Sequence, residues 1–186
     1  CIPSPPNPLE GLEIVAEITP ADQESDVEID MLPAVVTNLK VSDNEFTLDQ
    51  VDPETGDVTT RVFRFSEDNL TFELRNKSNN QLVSCSKLNS SENFGIFVRP
   101  QTVLQPETEF ELTVSATVDE FINNTTWQRA EMDDGTPFEE EHVITFTTNE
   151  GLEELGDESV RYSMPYSRQR NFCYMDVAQG GIYTLQ

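Results

Sequence analysis

Residues 109–118 alternate without a break. Phe110, Leu112, Val114, Ala116 and Val118 are apolar, and Glu109, Glu111, Thr113, Ser115 and Thr117 between them are polar. A period of two sends successive side chains to opposite faces, so this segment predicts an antiparallel strand with one core face and one wet face. Shorter versions of the pattern recur. Residues 142–148 place Ile144 and Phe146 on one face, residues 70–75 place Leu70, Phe72 and Leu74, and residues 45–51 place Phe46 and Leu48. Further strand-like runs lie at 13–18, 34–41, 58–65, 81–86 and 94–100, and the Pro, Gly and Asp of residues 52–57 supply a turn. About eight short strands joined by turn-rich loops predict an all-β protein, with an Ig-like antiparallel β-sandwich over residues 12–149.

The flanks read differently. Residues 1–11 hold four prolines in their first eight positions and no apolar period, which predicts an extended Pro-rich tether. Residues 119–141 are polar and read as a long loop before the last strand. Residues 150–186 read as an acidic linker and the start of a second β module, with strand-like pieces at 160–164, 171–175 and 180–186.

Charge narrows the partners. The formal net charge is −24. Residues 1–39 and 130–160 contain no Lys or Arg, while Arg161, Arg168 and Arg170 form a late basic spot. Nucleic acid and anionic membrane surfaces both require clustered basic groups, so neither is an expected partner. The Arg168–Arg170 spot is a candidate partner contact. Exposed ion pairs contribute at most about 1 kcal/mol each, so it does not define an interface by itself.

Chemistry-bearing residues are few. His142 is the sole histidine, and no nucleophile motif, phosphate-cradling loop or Cys/His metal spacing accompanies it. Its parity points inward, where a hydrogen-bonded structural role is the plainer reading. Residues 130–142 cluster carboxylates around Gly135, as a Ca²⁺ loop does, but lack the alternating acids of an EF-hand, and a solvated acidic loop is the plainer reading. Residues 49–57 stand the same way. No cofactor is expected beyond a lipid. Trp127, the one tryptophan, sits in the polar stretch, either as a platform for sugar or as cover for a core edge. The three cysteines make no disulfide framework. Cys85 and Cys173 are left as a pair or as two free thiols. Cys1, followed by the Pro-rich stretch, is the expected lipid attachment site of a bacterial lipoprotein, bound to the outer membrane through its acyl chains.

Two stretches carry a family signal. Residues 18–41 run from a strand through Pro20-Ala21-Asp22 to Asp26-Val27 and a second strand; residues 104–118 and 144–149 pair a Leu-x-Pro-x-Thr-x-Phe corner with a closing Phe-Thr-Thr. Both resemble the bacterial Ig-like domains of the S-layer-associated type. Gln23 stands where that family has Gly, and Phe110 where Tyr is usual. The resemblance implies a sandwich and a cell-envelope setting, with the cell surface favoured over the periplasmic face; it implies no chemistry. The expected function is therefore non-enzymatic: an outer-membrane lipoprotein serving as an accessory or scaffold subunit beside a membrane barrel or other envelope protein. The alternatives are a glycan-binding or adhesion module of a nutrient-uptake system, and the N-terminal module of a larger envelope enzyme.

Overall fold

The computed structural model describes residues 4–151 and, as backbone, two later strands. In chain order the strands begin with β1 (Val15–Thr19), β2 (Glu24–Val27), β3 (Ala34–Thr37), β4 (Ser42–Val51) and β5 (Val58–Phe65). There follow β6 (Leu70–Asn76), β7 (Gln81–Leu82), β8 (Cys85–Asn89), β9 (Gly95–Pro100) and β10 (Glu109–Ala116). The series ends with β11 (Asp119–Ile122), β12 (Thr126–Arg129), β13 (Glu140–Thr148), β14 (Ser159–Ser163) and β15 (Tyr174–Ala178). The last two pair antiparallel with each other, Ser159 opposite Ala178.

Two sheets make the sandwich. One has the order β1-β3-β9-β8 and the other β2-β13-β10-β6-β7. These are the A-B-E-D and G-F-C orders of an Ig-like fold. Alternation fills the space between the sheets. Phe110, Leu112, Val114, Ile144 and Phe146, the expected core, are all buried and meet Val35, Ile96 and Val98 of the facing sheet in one cluster. Phe110 and Phe146 sit opposite in register with their rings stacked at 5.6 Å. Pro20 lacks the N–H that would continue β1, and after it the chain crosses to the other sheet. There Asp22 Oδ1 accepts from Thr145 N and Gln23 N donates to Thr145 O, seating β2 parallel to β13. Gln23 has φ 63, the left-handed conformation that glycine adopts without a Cβ clash.

A third sheet, β12-β11-β5-β4, rises from two insertions. One hairpin, β4–β5, lies between β3 and β6; the other, β11–β12, lies between β10 and β13. Register puts both at one end of the sandwich. Ala116 at the end of β10 faces Leu70 at the start of β6 and Glu140 at the start of β13. The insertions then pair through Asp119 opposite Arg64 and Glu120 opposite Phe63. Phe63 and Phe65 are buried in the common core, so this sheet is part of the domain.

Two expectations change. The stretch 119–141 is not one loop, because Asn123 and Asn124 both hold positive φ and, with Thr125, turn β11 back into β12 through a three-residue hairpin loop. The extended reading of residues 1–11 ends at Asn7. Asn7 caps a turn of 3₁₀ helix over Pro8–Gly11 by accepting from Leu9 N at 3.0 Å, and Leu9 is buried in the core. The apolar Leu9, Leu12 and Ile14 form too short a series to show a period, and it is burial that fixes them.

Candidate functional site

The third sheet has two unlike faces, set by strand parity. Its inward face carries Phe63 and Phe65 with the half-buried Phe46 and Leu48. Among these apolar groups lies one charged pair. Arg61 donates to both oxygens of Glu120, Nε to Oε1 at 2.7 Å and Nη2 to Oε2 at 2.8 Å, with side chains only 17% and 11% exposed. The planar fork matches the carboxylate edge to edge. The hydrogen bond to Glu120 raises the Arg61 pKa, against a smaller opposing effect of burial. Arg61 Nη1 also donates to Asn7 Oδ1 at 3.1 Å, and Asn7 Nδ2 donates to Asp133 Oδ1 at 3.1 Å. Gln50 Nε2 adds a hydrogen bond to Pro5 O. The N-terminal segment is thus tied to the β4–β5 hairpin and to the stretch between β12 and β13.

The outward face carries a separate aromatic pair and its own charged row. Register places Arg129, Asp119, Arg64 and Glu45 in one row across the four strands. In the next row Phe121 faces Trp127, their ring centroids 5.2 Å apart and tilted by 38°. The Arg64 guanidinium lies 4.4 Å from the Trp127 ring centre, a cation–π contact. Asp119 serves both arginines, at 3.2 Å from Arg129 Nε and 3.7 Å from Arg64 Nη2. Arg129 Nη1 also donates to Thr117 Oγ1. The second separation exceeds hydrogen-bond length, and the buried Arg64 Nε has no acceptor.

Trp127 therefore stands on a strand, half-buried, and not on a loop. Sequence reading singled it out but missed Phe121, Asp119, Arg64 and Arg129 as its neighbours. The signal was the Asn123-Asn124 pair, the core of a three-residue hairpin loop flanked by Phe121-Ile122 and Trp127, which places the two aromatic residues opposite each other.

The remaining candidates fall elsewhere. His142 is half-exposed, and its Nε2 lies 2.8 Å from Glu140 Oε1. Glu140 Oε2 also accepts from Ile14 N at 2.7 Å, so this carboxylate pins the start of β13 to the chain before β1. Asp52 accepts from Glu54 N and Thr55 N, and Asp134 accepts from Thr136 N and Oγ1. Those bonds from Thr136 lower the Asp134 pKa. Both acidic stretches thus spend carboxylates on their own turns, and among the described residues no three His, Cys, Asp or Glu side chains converge as metal ligands. Cys85 is a half-buried thiol whose pKa burial pushes up to about 11. Cys1, Cys173, Arg168 and Arg170 lie outside the described residues. Among known proteins the chain matches no family model, and no curated protein matches it.

Proposed function

We propose that the protein is a non-enzymatic lipoprotein of the bacterial outer membrane, an accessory or scaffold subunit of a membrane protein assembly. One observation carries the reading. Asn7, six positions after Cys1, is hydrogen-bonded to Arg61 of the β4–β5 hairpin and to Asp133 of the stretch that follows β12. A lipid on Cys1 therefore holds the third-sheet end of the sandwich toward the membrane. Six residues of polyproline II, at about 3.1 Å each, would reach on the order of 19 Å. A Pro-rich spacer this short loses little entropy when the domain docks, which suits a subunit kept in a fixed pose beside a barrel. Arg168 and Arg170 offer that partner a second, basic contact. The Ig-like resemblance agrees with an envelope setting and leaves chemistry to the partner.

The test has two parts. Cys1→Ser in the full precursor should release a folded protein from the outer membrane. In the anchored protein, a photocrosslinker at Thr126 on β12 should trap a neighbouring envelope protein, and one at Val103, at the opposite end of the sandwich, should not. Membrane retention of the Ser variant after its partners are removed sinks the anchor. Equal trapping at both positions sinks the orientation.

A further inference from the structure

We propose that the outward face of the third sheet is a binding site for a saccharide that carries an isolated uronate. The inference does not depend on membrane anchoring. A sugar ring has an apolar C–H face and a rim of groups that both donate and accept, and this face offers a counterpart to each. Trp127 and Phe121, tilted by 38° with ring centroids 5.2 Å apart, supply aromatic surface for the C–H face. Asp119 is an acceptor for hydroxyls, held in place by Arg129 at 3.2 Å. Arg64 and Arg129 are planar donors beside the rings, suited to forked recognition of a carboxylate.

Arg64 decides the carboxylate. Its guanidinium is fixed over Trp127, yet its separation from Asp119 is 3.7 Å and its buried Nε has no acceptor. Among the described residues it makes no hydrogen bond. The other arginines of this sheet differ: Arg61 donates three hydrogen bonds, and Arg129 donates to Thr117. Nε is covered, but the terminal Nη groups, ion-paired with Asp119 at 3.7 Å and hydrogen-bonded to no side chain, are matched by an incoming carboxylate.

Charge limits how many such groups arrive. Glu45 lies beside Arg64 in register without pairing to it, and the whole chain carries −24. A densely sulfated or all-uronate polymer is repelled by the rest of the surface, and a sparsely charged one is not. An acidic peptide is the other ligand with a carboxylate. Its N–H groups can reach Asp119 and its carboxylate the arginines, but it has no ring with a C–H face and a rim of hydroxyls, so the saccharide fits more of the face.

Trp127 is the single tryptophan, so its emission reports on the site directly. The full chain is titrated with xylotetraose bearing one glucuronate, with plain xylotetraose, and with a short peptide carrying one Glu beside a Phe. The expected result is a saturable emission change, at least tenfold tighter with the glucuronate form than with the plain one, the discrimination of about one charge-assisted hydrogen bond. Calorimetry on variants of confirmed melting temperature should show Arg64→Lys losing about tenfold, because the fork is lost while the charge remains. Arg129→Gln, at an exposed position, should lose several-fold without touching the core. Equal affinity for both saccharides, no saturable response to either, an unaltered Arg64→Lys, or tighter binding of the peptide would each overturn the proposal. The last of these would assign the face to a protein partner.

Discussion

The Ig-like framework and the third sheet share one core but are held together by different means. In the framework, β10 pairs with β13 over eight residues and with β6 over seven, and every inward position from Phe110 to Ala116 is apolar and buried. Cohesion there comes from area removed from water. The third sheet is narrower where it matters. Its hairpins meet through two residue pairs, and its inward face mixes Phe63 and Phe65 with Arg61 and Glu120. Removing one partner of such a pair leaves a charge without its counterpart, so this sheet depends on one contact as the framework does not. A presentation surface can therefore sit on a robust sandwich and still be sensitive to single changes at its base.

The largest expected effect tests the framework. Leu112→Ala should cost about 2–5 kcal/mol by chemical denaturation, since Leu112 is fully buried at the sheet centre. Hydrogen exchange should accelerate in all three sheets together. If only the second sheet responds, the common core is not shared in the sense argued. Next is Glu120→Ala, which strands Arg61 against Phe63, 5.3 Å from the ring centre. A loss of roughly 3 kcal/mol is expected. Exchange should rise first in residues 42–65 and 119–129, with β10 and β13 still protected. Uniform acceleration would mean that the two regions unfold as one unit and would remove the contrast.

How far the sequence could be read follows the same division. Strands with one wet face announce themselves, so β4, β5, β6, β10 and β13 stand out by alternation alone. The missed elements are those whose partners are polar. Glu24–Val27 has no apolar period, and it is a strand because Asp22 and Gln23 fasten it to Thr145. Asp119–Ile122 and Thr126–Arg129 look like loop because Glu120 is an inward residue whose burial depends on Arg61, 59 positions away. Pairing between distant charges leaves no local period to detect. The same holds for the candidate site. Trp127 was visible by rarity, but Arg64 reaches it only through the tertiary pairing of two insertions.

Smaller changes probe the joints between the regions. Asn7→Ala removes the 3₁₀ cap and leaves Arg61 Nη1 and Asp133 without one partner each. A cost of about 1–2 kcal/mol is expected in thermal melts. The third sheet should keep its native exchange pattern, because the Arg61–Glu120 fork remains. Collapse of that sheet in Asn7→Ala would make the N-terminal segment, not the charged pair, its main support. Gln23→Gly should act the other way. At φ 63 a Cβ is unfavourable, so relief of about 1 kcal/mol is expected, set against the extra freedom glycine has when unfolded. An unchanged or raised melting temperature fits; a clear fall would mean that the Gln23 side chain makes a contact worth more than the strain.

The slightest effect concerns Cys85, at the junction where the chain passes from β7 in one sheet to β8 in the other. Its side chain faces the sandwich and is only half covered, and burial pushes its pKa up to about 11 from an ordinary value of 9.0. The thiolate is the reactive form, so alkylation near pH 8 should be slow for the folded protein and should speed up with each step of pH toward 11. The folded state holds the proton more tightly than the unfolded chain. Stability linked to this group is therefore complete below pH 9 and is lost as the pH rises from 9 toward 11. Half exposure lets water screen the thiolate, which keeps the change in melting temperature small. With alkylation mapped by peptide so that Cys1 and Cys173 are counted apart, Cys85→Ser should remove the signal of this site alone and flatten that part of the pH dependence. Rapid alkylation at pH 7 in the folded protein would mean that this junction opens to solvent, and that the framework is looser at its sheet-to-sheet crossing than at the third sheet.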